Sequence, residues 1–389
     1  MSKQIFVFVV CGAAEHIETL HLSLAYLKKY SQKEIWVLTD SNRNELPIAH
    51  QHIIDVQTPV SYNHHQASIY LKTGIYQFLP KGNTYCYLDT DVVAVSSTCD
   101  DIFNEFIPPI RFAPDHCKVR KFSSHAVNCG CLAGRKADRD KFEKYMNDVN
   151  AVTITEPRLV EKSKELQFEF DKLKPLSLSK ITTAIRFFLS PKVFRLNRDF
   201  YFDKQNKTWH INTGEVIMYD VDMEKMQQET GLVYNKWTKK WFNQQGEDIW
   251  YDECNHLVEY IKETFQIEVK EKNWQHWNGG VFLFNDSSHE FLQAWHHKTM
   301  HIFTLPNWKT RDQGTLIATV WEFGLNHHPV LSKKFNFIAD YYNNGLQVNL
   351  QKELITDDGF KTVYQPSFVH VYHHWEDNTW PIWQWVAGK

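Results

Sequence analysis

Two aspartates, one residue apart, follow a short apolar run in the segment TYCYLDTDVVAVS, residues 84–96. The run from Tyr85 to Leu88 predicts a buried strand, with Asp89 and Asp91 placed where this strand meets solvent. A turn at that point can aim both carboxylates at one centre, where their mutual repulsion favours a bound cation. Oxygen ligands of this kind suit magnesium or manganese.

The same Asp-x-Asp spacing occurs twice more, so the spacing alone does not identify a metal site. Asp138 and Asp140 lie in a charge-rich run that predicts a helix with solvated acidic side chains. Asp220 and Asp222 follow another apolar run, but no amphipathic helix leads directly into it. We therefore expect the metal chemistry at the Asp89 pair, with an ordinary strand-end turn as the alternative.

Composition sets the outer limits of the protein class. A chain of 389 residues is long enough for one large α/β domain with insertions, or for two domains. The formal net charge of −3 argues against general nucleic-acid binding, because no dominant basic field is present. The first apolar run, residues 5–10, is too short to span a bilayer, and we expect no transmembrane segment.

The seven cysteines are scattered, and only Cys129 and Cys131 lie close together in the sequence. They are spaced like half of a zinc site. No second Cys or His pair follows at zinc-finger spacing, so we expect buried structural thiols instead. The cysteine pattern predicts a reduced, cytoplasmic protein.

The N-terminal part of the chain predicts a βαβ unit. Its first strand ends in the turn Cys11, Gly12 and Ala13, helically spaced apolar residues follow, and a second strand ends at Asp40. Ligands of open α/β sheets bind beyond the carboxyl ends of the strands, so these residues and Asp89 can border one crevice. No glycine-rich phosphate-binding fingerprint is present, which argues against a dinucleotide or P-loop site.

Residues 66–79 predict a helix whose apolar face excludes Lys72. This lysine either reaches a phosphate at the crevice or is an ordinary solvated surface residue. Between residues 118 and 272, charged helical runs, a hairpin and an aromatic stretch indicate an insertion.

A second group of candidates lies in the C-terminal part. In WNGGVFLFN, Asn278 can bind sugar hydroxyls, and Gly279 and Gly280 allow a backbone or a ligand to approach closely. The alternative is a plain glycine-rich turn into a core strand. In RDQGTL, Asp312 can cap a helix, which leaves Gln313 free to place an amide oxygen against a positive centre. In FVHVYHHW, His370 is either a satisfied core residue or a metal ligand.

The chain contains 14 tryptophans, most of which we expect in the core. Trp277 and Trp375 adjoin the candidate residues and are the two that we expect to stack on sugars. The tail from Trp380 to Trp385 offers a weak hypothesis of peripheral membrane contact, since indole rings favour the interfacial layer.

In this order, the segments YLDTDV, WNGGVFLFN, RDQGTL, KKFNF and FVHVYHHW resemble the motifs of GT-A nucleotide-sugar glycosyltransferases. The resemblance is closest to retaining glycosyltransferase family eight, which includes glycogenin and bacterial lipopolysaccharide galactosyl- and glucosyltransferases. It covers about residues 4–112 and 275–375. It implies an α/β GT-A fold, with a mixed, mostly parallel central sheet flanked by helices.

The resemblance also implies a division of the chain. Residues 1–115 would be the nucleotide-sugar-binding half, residues 116–274 an insertion of helices and a hairpin, and residues 275–389 the acceptor-side half with the C-terminal metal-ligand segment.

The implied reaction transfers a sugar, with retention, from a UDP-sugar to a glycan or lipid-linked acceptor in polysaccharide biosynthesis. Asp89, Asp91 and His370 would hold Mn²⁺ or Mg²⁺. Gln313 would lie near the anomeric carbon, and Asp312 would contact a sugar or act as base if the reaction inverts. The nucleotide sugar would be bound by a larger set: Cys11, Gly12, Ala13, Asp40, Lys72, Asp89, Thr90, Asn278, Gly279, Gly280 and His373.

One departure from the family pattern concerns the leaving group. The family follows its histidine with Gly-x-Lys-Pro-Trp, whose lysine supports the diphosphate, whereas this chain has Tyr372-His-His-Trp-Glu376. His373, His374 or Arg311 would take that place. The alternative functions are a sugar nucleotidylyltransferase, which would need a basic glycine-rich loop near the N-terminus, and a non-catalytic carbohydrate-binding protein with a degenerate GT-A fold.

Overall fold

The computed structural model describes residues 2–151, 156–173, 177–220, 223–349 and 354–389. The strands, in chain order, are β1 Gln4–Val9, β2 Glu34–Thr39, β3 Ile53–Asp55, β4 Thr84–Leu88, β5 Val92–Ala94, β6 Arg111–Lys118, β7 Val193–Arg195, β8 Phe200–Asp203, β9 Thr208–Ile211, β10 Val216–Tyr219, β11 Val233–Asn235, β12 Lys240–Phe242, β13 Gln275–Phe284, β14 Phe337–Ile338, β15 Gln347–Asn349, β16 Leu354–Thr356 and β17 Phe368–His370. The helices are α1 Ala14–Tyr30, α2 His64–Thr73, α3 Val119–Ala126, α4 Cys131–Ala151, α5 Pro157–Asp171, α6 Leu178–Leu189, α7 Met223–Thr230, α8 His256–Phe265, α9 His289–Ile302, α10 Gln313–Glu322 and α11 Pro381–Ala387. Among the described residues, no helix combines the length and apolarity that a membrane span needs.

The central sheet has the strand order β3-β2-β1-β4-β13-β6. Its first four strands are parallel, and β13 runs antiparallel to both β4 and β6. The prediction of an α/β protein with a mixed, mostly parallel sheet and flanking helices is therefore confirmed.

Strand β1 shows why the first apolar run is continuous. Phe6 and Phe8 point into a core that includes residues of α1, whereas Ile5, Val7 and Val9 point into a second core that includes residues of α2. Both faces of this strand are covered, so an alternating polar pattern would be unfavourable.

A small sheet of order β14-β17-β5 lies at the end of β4. Strand β5 begins directly after Asp91, and β17 pairs with it antiparallel so that His370 is opposite Val92. This pairing joins two parts of the chain that are far apart in sequence, and it brings the C-terminal histidine to the paired aspartates.

Contacts divide the chain into two compact units. We call Met1–Cys129 with Glu253–Lys389 the main unit, and Gly130–Asp252 the insertion. The insertion contains the antiparallel sheet β10-β9-β8-β7 and has its own apolar clusters. Its bounds lie inside the predicted insertion of residues 116–274.

The structure corrects two expectations about tryptophan. Trp277 is 1% exposed and stacks on Phe112 with ring centroids 5.2 Å apart, so it fills the core and cannot stack on a sugar. Trp380, Trp383 and Trp385 are buried in a core cluster with β14 and β17. Because these rings are buried, the hypothesis of a membrane-facing aromatic tail was wrong.

Candidate functional site

The end of β4 is a tight turn that directs two carboxylates to one place. The Asp89 backbone N–H donates to the Gly280 carbonyl at 2.8 Å, and the Val92 N–H donates to the Asp89 carbonyl at 3.0 Å. Nε2 of His370 lies 3.2 Å from Oδ1 of Asp91. One ligand atom each from Asp89, Asp91 and His370 lie within 4.8 Å of one another, and we call this group the Asp–Asp–His cluster.

A chain of amides fixes the orientation of the His370 ring. Nδ2 of Asn336 donates to Oδ1 of Asn278 at 3.3 Å, so Oδ1 of Asn336 is the atom left to accept from Nδ1 of His370, at 3.2 Å. With the proton of Nδ1 bonded to Asn336, Nε2 is the ring nitrogen that faces Asp91. Metal-bound histidines are held in the same manner, through a hydrogen bond from the other ring nitrogen.

Gly280 is required by the close approach of three side chains. A Cβ atom at this position would lie 2.5 Å from Cε1 of His370, and 2.9 Å from both Oδ1 of Asn278 and Oδ2 of Asp89. A side chain here would push apart the groups that form the cluster. The glycine is therefore needed for packing at the site, which a plain turn into a core strand does not explain.

Lys72 is buried between two carboxylates, so its interpretation as a solvated surface lysine was wrong. Nζ lies 3.2 Å from Oδ1 of Asp89 and 3.0 Å from Oδ2 of Asp312. Burial alone would lower the pKa of Lys72, but the two carboxylates outweigh burial and raise it. Asp312 stands at the N-cap position of α10 without a side-chain capping bond, so it acts through Lys72 and not as a cap.

The cluster carboxylates differ in their proton affinity. Burial is the largest influence on Asp89 and raises its pKa in spite of Lys72. Burial also acts on Asp91, but the His370 ring outweighs it and lowers the pKa of Asp91. Two half-buried carboxylates this close, with only partial compensation by cations, form a site of excess negative charge.

Asp115 joins two residues that the sequence singled out, but was itself missed. Its Oδ2 accepts from Nδ2 of Asn278 at 3.0 Å and from Nε2 of Gln313 at 2.7 Å. Burial would raise the pKa of Asp115, but His276, His116 and the Asn278 amide outweigh burial and lower it. The available signal was weak: a single acidic residue, in the sequence RFAPDHCK, that interrupts an apolar strand.

Many of these groups line one cavity of the main unit, with a volume of about 540 Å³; Asp91, which contacts His370, is not one of its lining residues. The predicted residues that line it are Lys72, Asp89, Asn278, Gly279, Gly280, Asp312, Gln313, His370 and His373. Its further lining includes Asp115, Arg311, Lys121 and Tyr372, which supply both charge and hydrogen-bonding groups. A cavity of this size with convergent polar groups is typical of a small-molecule site.

The remaining predicted residues lie at strand ends outside the cavity lining. Cys11, Gly12 and Ala13 follow β1, and the Gly12 N–H donates to Oδ1 of Asn44 at 3.2 Å. Asp40 follows β2 and is bonded to Thr58 and Arg43. Thr90 lies between the paired aspartates, and its carbonyl accepts from the Ser23 hydroxyl. Of the rival pairs, Asp138 and Asp140 lie on α4, Asp220 follows β10, and Asp222 falls outside the described residues.

The donor set of the Asp–Asp–His cluster fits a divalent cation. It combines two carboxylates with an imidazole whose second nitrogen is held by an amide, and Gly280 leaves room beside it. Oxygen-rich sites of this kind prefer Mg²⁺ and Mn²⁺ over softer metals. The residues present therefore fit the predicted cofactor.

No protein-family model matches this sequence, and no protein with a curated description matches it either. Several solved structures show a distant likeness, and they are glycosyltransferases. Mouse xyloside xylosyltransferase 1 has 10% identity and a TM-score of 0.37, over 87% of this chain and 89% of that one. The bifunctional glycosyltransferase WbbM has 9% identity and a TM-score of 0.36, over 96% of this chain and 45% of that one.

The glycosyltransferase GlyE of Streptococcus pneumoniae TIGR4 has 16% identity and a TM-score of 0.22, over 29% of each chain. TM-scores at these levels carry no argument about activity. What can be said about function therefore depends on the residues of the cavity and on the chemistry that they allow.

Proposed function

We propose that this protein is a divalent-metal-dependent GT-A glycosyltransferase that transfers a sugar from a UDP-sugar to a glycan or lipid-linked acceptor, with retention. The observation that carries the proposal is the Asp–Asp–His cluster, which lies beside Lys72 and contributes Asp89 and His370 to the lining of one polar cavity. A nucleoside diphosphate leaving group needs this combination, because its negative charge increases as the bond to the sugar breaks.

Asp89, Asp91 and His370 would hold Mn²⁺ or Mg²⁺ against the diphosphate. When bound, such an ion acts as a Lewis acid on the phosphate oxygens and is worth several kcal/mol of transition-state stabilisation. Lys72 supplies a fixed positive charge on the same side of the cavity, already desolvated and oriented by Asp89 and Asp312. Charge that is preorganised in this manner requires no reorganisation during the reaction.

Lys72 is a candidate to replace the lysine that the family pattern has after its histidine and that this chain lacks after His370. It is a buried cation within 3.2 Å of the cluster, and Arg311 and His373 line the same cavity. We propose that Lys72 supports the departing diphosphate, with Arg311 as a second cation. The cavity thereby provides the charge that the sequence pattern lacked.

Gln313 is suited to stabilise positive charge on the sugar. Its Nε2 donates to Asp115, so its amide oxygen is the group available to face an oxocarbenium-like centre. Asp115 also holds Asn278, which can then contact sugar hydroxyls with a fixed orientation. In a retaining reaction the departing phosphate takes the proton of the acceptor hydroxyl, so no protein carboxylate is required as base.

Cys11 to Ala13 and Asp40 remain our proposal for the nucleoside site. They follow β1 and β2, which are parallel to β4, so their carboxyl ends share the edge of the sheet that bears Asp89. This is the edge at which open α/β sheets bind nucleotides.

The experiment that tests the function combines binding with turnover. Thermal unfolding would be followed with UDP, GDP, CDP and dTDP, each with and without Mn²⁺, on the native chain and on Asp91→Ala. A ligand of the folded state raises Tm according to its occupancy. We expect a Mn²⁺-dependent rise with UDP that Asp91→Ala abolishes, and release of UDP from a UDP-sugar in the same buffer.

Other outcomes separate the alternatives. Release of pyrophosphate from a nucleoside triphosphate and a sugar 1-phosphate would identify a nucleotidylyltransferase and contradict the proposal. Saccharide binding with no response to any nucleotide would identify a carbohydrate-binding protein with a degenerate GT-A fold.

A further inference from the structure

A second group of metal-ligating side chains lies in the main unit, apart from the cavity. Sγ of Cys129, Sγ of Cys254 and a ring nitrogen of His256 lie within 4.8 Å of one another. Cys129 and Cys254 are 125 positions apart in the chain, so the fold and not local sequence brings them together. We propose that Cys129, Cys254 and His256 form a zinc site of the main unit.

The distance between the two sulfurs supports a metal over a disulfide. Sγ of Cys129 and Sγ of Cys254 are 3.8 Å apart, and both cysteines are unbridged. A disulfide would require about 2.05 Å. Two thiolates on a tetrahedral zinc ion, each with a bond of about 2.3 Å, are separated by about 3.8 Å. The sulfurs therefore already have the spacing of two zinc ligands.

The segments that carry the ligands are anchored by backbone hydrogen bonds within the main unit. The Cys254 N–H donates to the Arg120 carbonyl of α3 at 3.1 Å, and His256 is the first residue of α8. Before Cys129, the Asn128 N–H donates to the Asn307 carbonyl at 2.9 Å. The ligands are thus held by backbone hydrogen bonds, which reduces the entropy lost when a metal binds.

Cys254 lies next to a helix N-terminus and a hydroxyl. It comes just before the N-terminus of α8. Ser123 Oγ lies 3.0 Å from its sulfur and accepts the Leu257 N–H at 2.9 Å. Its hydroxyl hydrogen is therefore available to the sulfur once zinc has displaced the thiol proton.

The donor set differs from that of the cavity. Two thiolates and an imidazole select zinc, whereas the oxygen-rich Asp–Asp–His cluster selects a harder ion.

The test begins with elemental analysis of the full chain purified under reducing conditions without chelator. We expect one zinc per chain, unchanged in Asp91→Ala and in Cys99→Ala, which removes a buried thiol elsewhere in the main unit. Cys129→Ser and Cys254→Ser should lose the zinc. Replacement by Co²⁺ should give thiolate-to-metal charge-transfer absorption in the native chain and none in these two variants.

A second measurement covers the case in which the cysteine variants do not fold. The native chain would be alkylated with and without prior removal of metal by a chelator, and the modified thiols mapped by mass spectrometry. We expect Cys129 and Cys254 to react only after chelation. Three results would overturn the proposal. They are a native chain that contains no zinc and gives no cobalt charge-transfer band, thiol labelling that chelation does not alter, and a Cys129–Cys254 disulfide in the native chain.

Discussion

Two Asp-x-Asp pairs with the same spacing, one at the end of β4 and one on α4, differ in where their partners come from. On α4, Asp140 pairs with Lys136 one turn away at 2.7 Å, and these side chains are 56% and 70% exposed. At the end of β4, Asp89 contacts a lysine that is only 12% exposed, and Asp91 faces His370 from the far end of the chain. Spacing is therefore uninformative by itself, and the difference comes from the partners that distant elements supply to Asp89 and Asp91.

The largest contrast should come from removing one carboxylate of each pair. We expect Asp91→Ala to reduce UDP release from a UDP-sugar by about a hundredfold to ten-thousandfold, since metal contact is worth several kcal/mol. Asp140→Ala loses only a surface ion pair and should retain full activity. Steady-state kinetics at saturating Mn²⁺ would measure both. Equal activity of the two variants would contradict the proposed metal site.

The next largest difference should be in stability, when the lysine beside each aspartate pair is replaced by methionine. Lys72→Met leaves Asp89 and Asp312 without their shared cation, so we expect the free energy of unfolding to fall by about 2–4 kcal/mol. Lys136→Met should change it by less than about 0.5 kcal/mol. Urea titration of both variants measures the difference. If Lys72→Met were as stable as the native chain, the carboxylates would be better solvated than their burial indicates.

Replacement of a glycine by alanine should lower the stability near the Asp–Asp–His cluster and raise it on α4. Gly280→Ala places a methyl group 2.5 Å from His370, so we expect a loss of about 1–3 kcal/mol in stability and weaker Mn²⁺ binding. Gly134 lies inside α4 with no atom within 4 Å of an added Cβ, so Gly134→Ala should stabilise the helix by about 0.5–1 kcal/mol. Thermal unfolding measures both changes in stability. If both variants were stabilised or both destabilised, the contrast in packing between Gly280 and Gly134 would be refuted.

The smallest effect should come from the amide behind His370. Asn336→Ala removes the acceptor for Nδ1, and loss of such an outer hydrogen bond lowers metal affinity by about tenfold to a hundredfold. Mn²⁺ titration, followed by electron paramagnetic resonance, would measure this change. Asn343→Ala, in a turn bonded to Asp357, is a matched control that should leave the affinity unchanged.

Local patterns in the sequence were sufficient for the strand-end groups. The apolar run before Asp89 and the alternation around His370 each predict a strand, and the structure brings both residues to one cavity. For Lys72 the sequence allowed two interpretations, a phosphate-binding lysine or a solvated surface lysine. It could not decide between them because the carboxylates that contact Lys72 come from the end of β4 and from the start of α10. Helical periodicity describes a helix, and it contains no information about what packs over the helix.

Asp115 could not be predicted because its role depends on strand register. It faces Asn278 since β13 pairs with β6 in a register that shifts between Asn278 and Phe282. Such an irregularity depends on residues far apart in the chain and leaves no periodic signal. The approach of Cys254 to Cys129 could not be predicted for a related reason, since the two cysteines are separated by the whole insertion.

The position of β13 between β4 and β6 has a consequence for biosynthesis. Both neighbours leave the ribosome early, whereas residues 275–284 follow the entire insertion. Until then, β4 and β6 each present an unpaired edge, a known template for aggregation. The nascent chain must therefore keep a gap in its sheet while residues 119–274 are synthesised, and chaperone dependence should be concentrated in that interval.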